Sequence, residues 1–329
     1  MKKFTSKFSV FAIIYAILIS AWFVSWLLVG DANWWLVLLN RTVPYLFIPL
    51  PLFLVLEIYT RRLKSVIALL VPCLIFAWIY HLYLFPRFSQ PDQNDTRLSV
   101  MTYNVLFSNL GYDAVANVIL TYQPDLVALQ EVKFEMMNAL KDRLQNDYPY
   151  SLMGTENDFG TTAVFSKYPL TDSYVLDLQA DRPATIVKVN INGQDVAFVA
   201  VHLLAYNLWW TKLMDIPSVV LQRTANQNRQ VATLLNELKK EDGIVVVGCD
   251  CNSYETSSSY RILEKSMNNS AREVGWLLLD PKLGNTRWDT DLQHIDYVWY
   301  RGSLEPMLVY KIKDRGGSDH LPVLVKFGF

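Results

Sequence analysis

Charged side chains are missing from Phe8 to Gly30, and from Val66 to Phe85 the only acidic or basic side chain is His81. Either run is long enough to cross the roughly 30 Å hydrocarbon core of a bilayer as a helix. Between them, Trp34 to Tyr59 is apolar but interrupted by Asn40 and Arg41 and by Pro44, Pro49 and Pro51. It predicts a third, less regular span. The apolar core of Phe8–Gly30 exceeds the ~7–15 residues of a signal peptide and lacks a small-x-small cleavage site. The texture changes at Pro86. PRFSQPDQNDTR, residues 86–97, is polar and proline-bearing, as linkers are. Beyond it come short β-rich runs at Leu98–Asn104, Asp125–Glu131, Thr161–Ser166, Thr185–Val189, Val196–His202 and Ile244–Asp250. Amphipathic periodicity predicts helices at Tyr112–Tyr122, Phe134–Asp147 and Val219–Lys240. The chain thus reads as a helical anchor (1–85), a linker (86–97) and one α/β domain (98–329) with a mixed sheet packed under helices.

Composition changes this picture by its unevenness. The 329 residues are 52% hydrophobic with a formal charge of −1. Residues 1–91 hold eight basic and two acidic side chains, and residues 92–329 hold 22 and 29. A cationic apolar segment therefore precedes an acidic domain, which excludes a disordered chain and a disulfide-stapled mini-protein. Lys2, Lys3 and Lys7 precede the first span, and Arg61, Arg62 and Lys64 lie between the second and third. Basic residues stay cytoplasmic, so three spans place everything after Phe85 outside the cytoplasm of a plasma or inner membrane. A re-entrant Trp34–Tyr59 would place it inside. Of three cysteines, Cys73 lies in a span, while Cys249 and Cys251 sit i, i+2 on one strand face, a spacing that argues for two buried thiols rather than a bridge.

The candidate chemistry sits at strand ends. In Ile244–Asn252 (IVVVGCDCN) the alternation of a strand puts Asp250 and Asn252 on one face. Both are also turn residues, so an Asx-turn is the plain alternative. Other apolar runs do the same: LSVMTYN delivers Asn104, DLVALQEV Glu131, and VAFVAVH His202. HIDYVWY opens on Asp296, and GSDHLPVLV presents Ser318, Asp319 and His320 before the last strand.

The ordered set TYN, QEV, VHL, GCDCN, IDYVW and GSDHLPV resembles the endonuclease/exonuclease/phosphatase superfamily with its DNase I-like fold. The resemblance runs from about Leu98 to the C-terminus. It implies a four-layered α/β sandwich with two mixed β-sheets and Mg²⁺- or Mn²⁺-dependent hydrolysis of phosphate esters. By this resemblance Glu131 is the principal metal carboxylate, with Asn104 beside it and Asp319 near the metal. Asp250 orients or deprotonates the attacking water, Asn252 holds the phosphate, and His320 contacts a phosphate oxygen with Asp296 fixing its ring. His202 resembles the second histidine of the DNase, sphingomyelinase and inositol-phosphatase branches; no acid evidently pairs with it, and Glu156 is the candidate. Two positions depart from the pattern: Cys249 stands where glycine is usual, and Cys251 where an aromatic residue or leucine is usual. The residue types suit the chemistry, since hard cations prefer carboxylate and amide oxygens and phosphoryl transfer needs charge neutralisation and an aligned water.

Substrate is read from the surroundings. An acidic catalytic domain is a poor match for a non-specific nuclease, which needs a basic track for backbone phosphates. The stretch after His202, LLAYNLWWTKLMDIPSVVL, is apolar for a rim loop. It reads either as a surface dipping into a membrane interface or as ordinary core. Arg41, at the outer end of the middle span, reads as a lipid-phosphate contact or a snorkelling cation. The architecture resembles bacterial membrane-anchored family members associated with glycopeptide resistance, which implies polyprenyl-phosphate lipids. The expectation is a membrane-integrated phosphoesterase acting on a phosphorylated lipid or its head group. An anchored nuclease and an inactive scaffold or sensor are the alternatives.

Overall fold

The computed structural model describes residues 2–84, 97–179, 182–274 and 294–329. Nearly all of the expected linker, residues 86–96, lies outside the described residues. The N-terminal unit comprises α1 (Lys2–Val29), α2 (Trp34–Asn40), α3 (Val43–Leu46), α4 (Pro49–Tyr59) and α5 (Leu63–Leu84). Lys7–Val29 and Leu63–His81 are long and apolar enough to cross a membrane. The middle segment is not one straight helix. Its α2 and α3–α4 parts meet at 76°. Pro44 and Pro49 each sit in the first turn of a new helix, where a missing N–H costs nothing, whereas mid-helix they would break the ladder. Polar groups inside this unit are paired: Trp22 Nε1 donates to Asn40 Oδ1 at 3.0 Å, and Ser9 Oγ to Glu57 Oε2 at 2.8 Å.

The second unit runs β1 (Arg97–Asn104), α6 (Tyr112–Tyr122), β2 (Leu126–Val132), α7 (Phe134–Leu144), β3 (Tyr150–Met153), β4 (Thr161–Ser166), β5 (Leu170–Leu176), β6 (Ala184–Ile191) and β7 (Gln194–His202). It continues with α8 (Ile216–Leu238), β8 (Ile244–Asp250), α9 (Ser258–Glu264), β9 (Asn268–Asn269), α10 (Ser270–Val274), β10 (Asp296–Arg301), β11 (Glu305–Lys311) and β12 (Val323–Gly328). All six strands and three helices expected from periodicity are present. Helix α8 begins three residues early, because Pro217 seats naturally in a first turn.

Two six-stranded mixed sheets form, in the orders β11-β12-β1-β2-β4-β3 and β5-β6-β7-β8-β10-β9. Alternation along the strands sorts their side chains into layers. Val100, Leu126, Phe198 and Val246 face the space between the sheets. Met101, Val127 and Leu129 turn outward onto α6 and α7, and Val245 and Val247 onto α8 and α9. The result is the expected four-layered, DNase I-like sandwich. Gly248 fixes how closely the layers approach, since a Cβ there would stand 2.6 Å from that of Ala128 in the opposite sheet.

The two units share a tight seam just beyond β8. Asp31 Oδ2 accepts the backbone N–H of Ser258 at 2.6 Å, capping α9, and its Oδ1 accepts from Asn40 Nδ2 at 2.7 Å. Trp26 Nε1 donates to the Thr256 carbonyl at 2.8 Å, and the Thr256 hydroxyl donates to the carbonyl of Asn40. Arg41 Nη1 donates to the Asn252 carbonyl at 3.2 Å, and its guanidinium lies 3.9 Å from the Tyr206 ring centre and 4.8 Å from that of Tyr254.

One expectation fails here. Cys249 and Cys251 form a disulfide. The strand ends at Asp250, Cys251 already lies outside it, and Asn252 takes φ +45°. The backbone leaves extended geometry at Asp250, between the two cysteines, and their Cα atoms stand 5.1 Å apart, inside the range a bridge spans and shorter than the i, i+2 spacing of a continuing strand.

Candidate active site

Strand direction gathers the polar ends. β1 and β2 run parallel, as do β7 and β8, so Asn104, Glu131, His202 and Asp250 emerge at the same rim. β10 runs antiparallel to β8 with Asp296 opposite Asp250, and His202 stands opposite Asp250 on the other side. β12 is antiparallel to β1, which returns the loop before it to the Asn104 end. There Ser318 Oγ donates to the Asn104 carbonyl at 2.7 Å and accepts the His320 N–H at 3.1 Å.

Asp250 is the buried centre. Its Oδ2 accepts Asn104 Nδ2 at 2.8 Å and lies 3.4 Å from His202 Nε2 and 3.9 Å from His320 Nε2. Its Oδ1 accepts the Asn252 N–H at 3.2 Å, so the residue forms an Asx-turn and faces the site at once. Asn104 Nδ2 also reaches Glu131 Oε1 at 3.2 Å, while its Oδ1 caps the Leu106 N–H at 2.9 Å. Asn104 thereby bridges two carboxylates through its nitrogen. Glu131 sits in the register shift near the end of β2 with φ +60°, a conformation costly for a non-glycine residue and common at functional sites. Gly160 packs against its backbone so closely that a Cβ would meet the Glu131 carbonyl carbon at 2.5 Å.

Two groups share Asp250. Glu131, His202 and Asp250 can each bring one ligand atom within 4.8 Å of the others, and so can Asp250, Asp296 and His320. His320 Nδ1 pairs with Asp296 Oδ2 at 2.9 Å. Burial opposes the His320 cation, but the Asp296 charge and hydrogen bond, with Asp250 and Asp319, raise it to about 10. Burial lifts the Asp250 carboxyl to about 7, with the Asp296 charge adding and His320 and Asn104 opposing. His202 goes the other way: burial, then the Arg182 and His320 cations, push it well below its ordinary value.

Several sequence expectations meet this geometry differently. Asp319 is exposed and belongs to neither close group. Asn252 turns its side-chain nitrogen to the Leu203 carbonyl at 3.1 Å. Glu156 is not the partner of His202. It accepts from the Phe134 N–H at 3.0 Å and pairs with Lys133 at 3.4 Å. The group beside His202 Nδ1 is a cation, Arg182, at 2.6 Å. An arginine can only donate, so His202 is the acceptor; its Nε2 lies 3.2 Å from the same guanidinium nitrogen and 3.4 Å from Asp250 Oδ2. Arg182 was missed because it sits in a polar loop with no motif around it. Arg41 is half-buried, stacked on two tyrosines and bonded to the Asn252 carbonyl.

A two-sheet sandwich with a carboxylate–histidine cluster at the parallel strand ends defines a DNase I-like fold. The model of the Endonuclease/Exonuclease/phosphatase family matches residues 101–320, and the chain belongs to that family, whose members hydrolyse phosphate esters. Among solved structures, an endonuclease/exonuclease/phosphatase from Beutenbergia cavernae aligns over 71% of this chain and 72% of its own, with 19% identity and a TM-score of 0.56. D. rerio TDP2 complexed with single-strand DNA product aligns over 71% and 100%, with 18% identity and a TM-score of 0.55. The human Nocturnin catalytic domain with bound sulfate aligns over 71% and 96%, with 21% identity and a TM-score of 0.53. At these identities the likeness is one of fold. No curated protein matches the chain in sequence.

Proposed function

We propose that this protein is a divalent-metal-dependent phosphoesterase held at the extracytoplasmic face of a membrane, acting on a phosphorylated lipid or its head group. The donor set fits a hard cation: two carboxylates, Glu131 and Asp250, lie beside each other, and Asp250 is costly to ionise without a neutralising charge. Glu131 is the residue to hold Mg²⁺ or Mn²⁺, which supplies Lewis-acid stabilisation of charge on the phosphate. Asp250 orients and deprotonates the attacking water, and Asn252 helps hold the phosphate. His320, kept cationic by Asp296, donates to a phosphate oxygen. His202, kept neutral, offers a second donor across Asp250.

The observation that carries the membrane reading is the seam. The loop after Asp250 and Asn252 is hydrogen-bonded to Trp26 and Asp31, at the end of a helix long enough to span a bilayer, and to Asn40 and Arg41, at the end of the short α2. The flanking basic residues and the Cys249–Cys251 disulfide favour an oxidising, extracytoplasmic compartment. The acidic catalytic domain speaks against broad nucleic-acid binding.

The test offers purified full-length protein with Mg²⁺ a panel of phospholipids, polyprenyl diphosphate, and single- and double-stranded DNA. Turnover of a lipid phosphate is expected, with Asp250→Ala and His320→Ala each losing about 10²-fold or more in kcat. DNA turnover without a lipid product would establish the nuclease reading instead. Retained activity in Asp250→Ala would remove the mechanism.

A further inference from the structure

We propose that the tip of the loop between β7 and α8, Trp209 to Met214, is a foot that inserts into the polar–apolar interface of the bilayer and sets the height of the active site above it. The proposal rests on reading α1 and α5 as membrane spans, and it deepens the lipid reading of the same site.

The loop is firmly rooted and bare at its tip. At the root, Leu203 is buried, its N–H donates to the Asp250 carbonyl at 2.9 Å, and its carbonyl accepts from Asn252 Nδ2 at 3.1 Å. Gln230 accepts the Leu204 N–H at 3.0 Å, Gln227 donates to the Leu204 carbonyl at 3.0 Å, and Tyr206 bonds to Thr224 at 2.6 Å. Beyond Tyr206 the packing stops. Trp209, Trp210, Leu213 and Met214 are 91%, 94%, 84% and 92% exposed. Single exposed apolar residues are ordinary, but two tryptophans, a leucine and a methionine standing free on one short turn mark a surface that is covered in use.

The occupant follows from what lies next to the foot. Tyr206, three residues before Trp209, carries the Arg41 guanidinium on its ring, and Arg41 directly follows α2. Helix α2 packs along α8 and opens with the exposed Trp34 and Trp35 just past the end of the apolar α1. The foot is therefore continuous with the rim of the apolar helices. Tryptophan is enriched at bilayer interfaces, and the exposed Lys212 within the tip suits a lipid phosphate. Because the root of the loop bonds to Asp250 and Asn252, seating the tip seats the catalytic strand end relative to the lipid head groups.

The test uses full-length Cys73→Ser protein in nanodiscs, with Leu213→Cys carrying an environment-sensitive fluorophore. A blue-shifted probe quenched by lipids spin-labelled near the head group is expected. A water-exposed probe that such lipids do not quench overturns the proposal. Efficient cross-linking of two Leu213→Cys copies, with the probe equally shielded in a lipid-free amphipol, overturns it in favour of self-association. In parallel, Trp209→Ser/Trp210→Ser should leave turnover of a soluble phosphodiester unchanged and lower turnover of a vesicle-embedded lipid phosphate by about tenfold. Equal loss on both would assign the pair to folding and overturn the foot. Absence of all phosphoesterase turnover would strike the enzymatic reading alone, because the probe measurement does not depend on it.

Discussion

Asp296 shows how one carboxylate governs a titration. It holds His320 Nδ1 at 2.9 Å and is the largest influence lifting that histidine against its burial. A group raised above its ordinary value stabilises the fold fully below about 6.5 and loses that contribution as pH rises through about 10. Asp296→Asn is therefore expected to destabilise the protein most at pH 6 and progressively less toward pH 10, read by denaturant unfolding at several pH values. The alkaline limb of its kcat/KM profile moves down toward neutrality, whereas a purely structural role would lower activity equally at all pH values. At this scale the sequence was informative wherever a polar residue ended an apolar run, as with Asn104, Glu131, His202 and Asp250. It was silent on Glu131's positive φ, because no turn-forming residue in QEV announces it and Gly160, which packs against that backbone, comes from the loop before β4. Arg182 was invisible for a similar reason: its partner His202 lies 20 residues away, at the far end of the β6–β7 hairpin.

Among elements, the six expected strands were legible because they are buried on both faces or nearly so, which leaves long apolar runs between polar ends. The edge strands β3, β5 and β11 were not expected, since half-exposed edges carry mixed composition. The disulfide was misjudged for an element-level reason. Alternation holds only as far as β8, which stops at Asp250, and the departure from extended backbone at that residue brings Cys249 and Cys251 together. That bridge brackets Asp250 in the chain. Cys249→Ser/Cys251→Ser is expected to lower kcat on a soluble phosphodiester by about tenfold with little change in KM, because a small displacement of a reacting group is costly. Unchanged kcat, with loss of the bridge verified by mass spectrometry, would show that the turn holds without it.

For the whole molecule, periodicity distinguished an apolar helical unit from an α/β domain, yet nothing in it joined them. The joining contacts pair residues more than 200 positions apart, such as Arg41 with Asn252 and Asp31 with Ser258. Sidedness is the property to test at this scale. The broken, 76° middle segment leaves the number of crossings to be measured. With three crossings, a C-terminal alkaline phosphatase fusion is active and a C-terminal green fluorescent protein fusion is dark when exported through the general secretory route. The opposite pair of results would make the middle segment re-entrant and place the site in the cytoplasm. The seam also bears on laboratory practice. Trimming away the greasy N-terminus to obtain a tractable fragment would strip α9 of its cap and the Asn252 loop of its arginine. Kinetics from such a fragment would describe an enzyme with part of its floor removed.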